Sequence, residues 1–214
     1  DFNIKTSSIF NEVSLDKIKR FNIEKLKIFI YWYSSKFAKI KIPQKSRKYW
    51  IEFSKFLKNS KTGAIFIIGK LTCILHRSKI VLITNYYKLF ENPKLIKLTS
   101  NRYWFNSHFS VLKDTNYHKS QNKNIILLTQ NIIENGLNIR RWKKGDKILS
   151  STNNNHILLS DLFINNKFSK VEKLIQPIVV DKMGKIIWVP GLLHSKLPID
   201  TSSKNRTIIE WHPA

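Results

Sequence analysis

Cysteine is nearly absent from this chain, and alanine and glycine are scarce. The 214 residues include one Cys, three Ala, six Gly, six Pro and one Met. A lone Cys73 excludes an internal disulfide and a multi-Cys zinc site. It suits a reducing compartment, and its place in an apolar run marks it as a small buried hydrophobe. Acids are few as well, 14 Asp and Glu against 38 Lys and Arg, and none forms an evident general acid/base pair. No apolar run approaches the roughly 18 residues of a membrane span, and the start lacks a signal-peptide pattern. The sequence opens on Asp1 rather than Met, as expected of a piece of a longer product.

Motifs of self-contained catalysis are missing too. There is no G-x-x-x-x-G-K-[S/T] phosphate loop, no G-x-G-x-x-G fingerprint and no H-E-x-x-H. No serine sits in a G-x-S-x-G elbow. His76, His108, His118, His156, His194 and His212 are scattered, with no pair at metal-ligand spacing, and read as surface or packing residues.

What is present is positive charge. The formal net charge is +24, which attracts polyanions, nucleic acid first among them. Part of that charge reflects codon bias. Lys outnumbers Arg 31 to 7, Ile also occurs 31 times and Asn 20 times, all residues with AT-rich codons. Local pattern must therefore carry the functional argument. The first 61 residues hold 15 cations and 5 acids.

The patterning predicts an α+β chain: a small helical domain with a β-meander, then a small C-terminal α+β domain. Leu15, Ile18, Phe21, Leu26, Phe29, Ile30 and Tyr33 recur at mostly three- and four-residue steps, predicting a helix over 13–34. A second helix is expected over 44–58, with Tyr49, Trp50, Phe53, Phe56 and Leu57 on its apolar face. Lys45, Arg47 and Lys48 crowd its start, where the helix dipole disfavours cations unless an anion binds. β-Branched runs at 64–68, 71–76 and 80–84, split by Gly69-Lys70 and Arg77-Ser78, predict the meander. Residues 1–87 thus form the first domain, 88–135 a connector with one or two strands, and 136–214 the second domain. In the latter, Leu137 to Arg141 reads as a strand and Lys144-Gly145-Asp146 as a turn. Ser151 to Asn155 reads as a loop. Ser160 and Ser169 are expected to cap short helices. A hairpin surrounds Asp181–Gly184, and Thr207 to Trp211 is a last strand.

Two basic clusters stand out in that domain. Arg140, Arg141, Lys143, Lys144 and Lys147 form the first. Lys167, Lys170 and Lys173 form the second, and spacing by three puts Lys170 and Lys173 on one helix face. Both could meet phosphates. Trp142 could stack on an unpaired base, but it reads better as a packing residue. Strand alternation puts it beside Arg140, which could lie on its ring.

The ordered pieces Arg140-x-Trp142-x-x-Gly145-Asp146-Lys147, Leu159-Ser160-Asp161-Leu162-Phe163-Ile164, Lys167, Pro177 and Trp188-Val189-Pro190-Gly191 resemble the C-terminal domain of tRNA(Ile)-lysidine synthetase. Residues 13–84 are similar to that enzyme's middle substrate-binding domain. The sequence departs from the family's pattern at Ser150 to Leu158, at Ile175 and at Leu193-His194, where basic residues are usual. The resemblance implies an ATP-dependent ligase that joins lysine to C2 of the wobble cytidine of tRNA(Ile). ATP and Mg would be held by an N-terminal domain with an S-G-G-x-D-S loop, which this sequence lacks. On that reading this chain is the tRNA-gripping part, inactive alone, with Arg140, Arg141, Lys143, Lys144, Lys147, Lys167, Lys170, Lys173, Lys45, Arg47 and Lys48 as tRNA contacts and with no cofactor or metal of its own. The expected partner is tRNA(Ile), without membrane and with a second copy in a homodimer as an option, in a bacterial cytoplasm or an organelle stroma. A non-enzymatic basic RNA-binding protein and a decayed remnant are the alternatives.

Overall fold

The computed structural model describes residues 5–6, 10–89, 95–114, 122–150, 155–195 and 206–213. The chain divides into two compact units, Asp1–Glu91 and Asn92–Ala214.

The first unit packs three helices on an antiparallel sheet. In chain order it runs β1 (Lys5–Thr6), β2 (Phe10–Ser14), α1 (Leu15–Lys19), α2 (Ile23–Lys36), α3 (Arg47–Asn59), β3 (Ile65–Ile68), β4 (Leu71–His76) and β5 (Lys79–Thr84). The sheet order is β1-β2-β5-β4-β3. The meander is therefore present, extended by two N-terminal strands. The helix expected over 13–34 is instead a strand end and two helices. Ser14 pairs with Lys79 in β5, and the Leu15 N–H donates to the Ser78 carbonyl at 2.8 Å. Asn22 then restarts the helix, its side chain accepting from the Lys25 N–H at 2.8 Å. A side-chain cap outcompetes continuous winding there because it satisfies an otherwise orphaned donor.

Period-3.6 and period-2 stripes meet in the core. Leu26, Phe29, Ile30 and Tyr33 of α2 and Trp50, Phe53 and Leu57 of α3 pack with Leu71, Cys73, Leu75, Ile80 and Leu82 of the sheet. Cys73 is fully buried, and burial pushes its thiol well above the ordinary range. A buried neutral thiol is a packing group, not a nucleophile.

The second unit contains β6 (Ile96–Lys97), β7 (Arg102–Trp104), β8 (Ser107–Asp114), β9 (Ile125–Thr129), α4 (Gln130–Glu134), β10 (Leu137–Arg141), β11 (Lys147–Leu149), β12 (His156–Leu158), α5 (Leu159–Asn165), α6 (Lys170–Ile175), β13 (Pro177–Asp181), β14 (Ile186–Val189), β15 (Leu193–His194) and β16 (Arg206–His212). Three sheets result, in the orders β15-β14-β13-β10-β6, β7-β8-β16-β9 and β11-β12. The stretch expected as a connector supplies β6 to β9 and α4. The last strand, β16, pairs with β8 and β9. A second domain beginning at Gly136 would leave β16 without both its neighbours. The centre of the expected 151–155 loop lies outside the described residues.

Alternation along β13 divides this unit's core. Val179 joins Trp104, Phe109, Ile139, Trp188 and Ile209 on one side. Ile178 and Val180 join Ile148, Leu159, Phe163 and Val189 on the other. Ser169 caps α6 as expected, in a reciprocal capping box with Glu172. Ser160 does not cap α5. The helix starts two residues earlier than a Ser160 cap would give, at Leu159, whose N–H already donates to the Asp146 carbonyl at 2.9 Å. The Ser160 hydroxyl turns to the Asp161 carboxylate instead.

The glycine of the Trp188-Val189-Pro190-Gly191 segment is a packing requirement. Its φ is +76°, and a Cβ there would come within 3.0 Å of the Trp211 ring and 3.3 Å of the Asn124 side chain. Gly184 has φ +82° but open space around it. Gly184→Ala should therefore cost about 1 kcal/mol from backbone strain alone, and Gly191→Ala distinctly more. Urea unfolding midpoints of the two variants check this; equal losses would contradict the packing role.

Candidate nucleic-acid interface

The two halves of the basic-aromatic motif fold against each other. β10 carries Arg140 and Arg141 into a turn whose Gly145 has φ +90°. The Asp146 carboxylate closes that turn, accepting from the Lys143 N–H at 2.6 Å. It also takes both terminal nitrogens of Arg140, at 2.7 and 3.0 Å. The paired side chains are only 14% and 13% exposed. Arg140 is thus committed to an internal fork, not to the Trp142 ring expected from strand alternation. Charge-assisted two-point bonds outweigh a cation–π contact. Trp142 packs edge-on against Phe163 of α5, ring centres 5.5 Å apart, which is the packing role expected for it. Because the Asp146 carbonyl also receives the Leu159 N–H, the turn and the start of α5 form one unit.

The remaining cations distribute around that unit. Lys143, Lys144 and Lys147 are exposed on and just after the turn. Lys167, exposed with φ +60°, follows α5. Lys170 and Lys173 lie in α6, Lys170 exposed and Lys173 half-buried in the last turn, where the helix dipole favours a cation. Arg141 is partly withdrawn. Its guanidinium lies 5.1 Å from the Phe105 ring centre, burial lowers its pKa, and its Nε has no hydrogen-bond partner among the described residues. In the first unit, Ser46 caps α3 through the Tyr49 N–H. Arg47 and Lys48 are exposed in the first turn, which carries no acid. Lys45 sits 5.0 Å from the Tyr49 ring centre.

Sequence patterning does not mark two further lysines. A cavity of about 540 Å³ in the second unit is lined by Lys97, Glu134, Asn135, Asn138 and Lys182, among others. Lys97 and Lys182 are far apart in sequence and share a rim because β6 and β13 both pair with β10. No local spacing signals that.

Among the described residues no three His, Cys, Asp or Glu side chains cluster as metal ligands, and the sequence has no phosphate-cradling glycine loop. No described helix is long and apolar enough to cross a membrane.

No family model matches the chain. The tRNA(Ile)-lysidine synthase of Bacillus subtilis is 42% identical over 59 residues, 28% of this chain and 12% of that protein. The enzyme of the same name from Bacillus licheniformis is 26% identical over 94 residues, 44% of this chain and 20% of the relative. That of Geobacillus kaustophilus is 32% identical over 78 residues, 36% and 17%. A crystal structure of a TILS C-terminal domain is similar at a TM-score of 0.46 and 20% identity, covering 56% of this chain and 90% of that one. The chain therefore spans at most about a fifth of the length of these curated relatives over the matched stretches. In sequence, this chain resembles part of tRNA(Ile)-lysidine synthase.

Proposed function

We propose that this chain is the tRNA-gripping part of a tRNA(Ile)-lysidine synthase. One observation carries the reading. The motif residues Arg140, Trp142, Gly145, Asp146, Leu159 and Phe163 build a rigid scaffold and leave Lys143, Lys144 and Lys147 exposed on it. Such a scaffold holds cations toward a polyanion without spending them on internal pairs. The exposed lysines meet phosphates, so affinity comes from counterion release and falls with salt. Lys167, Lys170 and Lys173 extend the surface along α5 and α6, and Lys45, Arg47 and Lys48 offer a second one in the first unit. The ligation of lysine to C2 of the wobble cytidine, with ATP and Mg, belongs to an ATP-binding domain carrying the S-G-G-x-D-S loop. This chain's residues position tRNA(Ile) and do not touch the reacting atoms.

Two outcomes follow from this assignment. Reversing the charge of Lys143, Lys144, Lys170 and Lys173 together should weaken tRNA(Ile) binding more than tenfold and flatten its salt slope by up to about four. Filter binding across a salt series measures both, and an unchanged affinity would defeat the assignment. The scaffold behaves differently. Asp146→Asn strands a mostly buried guanidinium and should cost about 3 kcal/mol of stability, whereas Lys143→Ala should stay within about 0.5 kcal/mol. Chemical denaturation separates the two, and an Asp146→Asn protein as stable as its parent would show that the fork is no scaffold.

A further inference from the structure

Three aromatic rings stand in register across the solvent face of the β7-β8-β16-β9 sheet. Tyr103 of the edge strand β7 lies opposite His108 of β8, and His108 lies opposite His212 of β16. The two imidazoles are stacked, centroids 4.2 Å apart and planes 12° from parallel. Tyr103 follows at 6.1 Å from His108. Strand alternation explains the row: the intervening Trp104, Phe109 and Trp211 point into the core cluster on the other face. Tyr103 is 81% exposed, and His108 is exposed as well. The far end of the row is fixed by polar contacts. The His212 Nε2 lies 3.1 Å from the Ser110 hydroxyl and 3.7 Å from the Glu210 carboxylate.

From this row we infer that the sheet face is a stacking platform for an unpaired nucleobase of bound RNA, with Tyr103 as the principal ring and His108 and His212 as its backing. The chemistry of the face selects this occupant. Every ring in the row has a π-face and a polar rim, which suits a base with hydrogen-bonding edges better than a greasy protein helix. Leu112 is the one large aliphatic side chain exposed among the described residues of this sheet. Residues 92–214 carry 19 Lys and Arg against 8 Asp and Glu, so the partner is anionic. Arg102 adjoins Tyr103 on the same edge strand, its guanidinium tied back to the carbonyls of Lys97 and Asn101. A row already stacked before binding loses little side-chain freedom when a base joins it. The platform presupposes RNA binding by this chain, as the proposed function does, but it uses none of the lysines on which that function rests.

The test compares the full chain with Tyr103→Ala, Tyr103→Phe and Tyr103→Leu. The probes are a short unstructured RNA oligonucleotide and a blunt RNA duplex of matched phosphate number. Tyr103→Ala should weaken binding of the single strand about tenfold while leaving duplex binding and the salt slope unchanged. Tyr103→Phe should restore the loss and Tyr103→Leu should not. His108→Ala, which removes the backing ring without touching Tyr103, should give a smaller loss of the same kind. A Tyr103→Leu protein that binds like the parent would overturn the platform, as would an equal loss on the duplex or no loss at all. If the parent binds both RNAs with a steep salt slope and Tyr103→Ala changes nothing, only the platform falls. If the parent binds neither RNA, the proposed function falls with it.

Discussion

The fork between Arg140 and Asp146 is the interaction on which the second unit's basic surface depends. One carboxylate closes the β10–β11 turn by holding the Lys143 N–H, neutralises the mostly buried Arg140, and leaves its backbone carbonyl to start α5. Without it a guanidinium would be left unpaired in a largely dry site, a costly arrangement. The lysines on the turn do not share in this work. Among the described residues Arg140 makes this turn's ion pair, and Lys143, Lys144 and Lys147 stay exposed.

This division of labour runs through the chain. Conspicuous motif residues are mainly architectural. Gly191 lets the backbone pass Trp211, Trp142 fills space against Phe163, and the Trp188 indole donates to the Lys123 carbonyl at 3.1 Å. Gln176 ties the end of α6 to the Pro190 carbonyl at 2.9 Å. The motifs bring the basic clusters onto one packed body, and under the proposed function the grip on RNA is an electrostatic property of exposed lysines. A function of this kind tolerates the departures at Ile175 and His194. Phosphate contacts are sequence-independent and shared among many cations, so losing a few lowers affinity without changing its kind.

Much of the fold is legible in the order of the residues. β-Branched, apolar runs mark the 71–76 and 80–84 strands and the hairpin around Asp181, and Ser169 announces its helix through a capping box with Glu172. Three kinds of feature are not legible, each for a physical reason. Helix breaks that depend on a side-chain cap look helical by periodicity, as at Asn22. Sheet partners far apart in sequence leave no local trace, so local pattern gives β16 no partner and makes the 88–135 stretch a connector. Competition for a side chain is equally invisible. Arg140 has both Trp142 and Asp146 within reach and takes the carboxylate, while Arg141 settles over Phe105. The stacked His108 and His212 belong to the same class, since a scattered pair acquires meaning only through register.

The most direct measurement is hydrogen–deuterium exchange of the full chain with and without tRNA(Ile). Binding should protect the Lys143–Lys147 turn and the Lys167–Lys173 segment, with protection fading as salt is raised. Protection confined to other segments, or none at any salt, would contradict a tRNA grip built on these lysines.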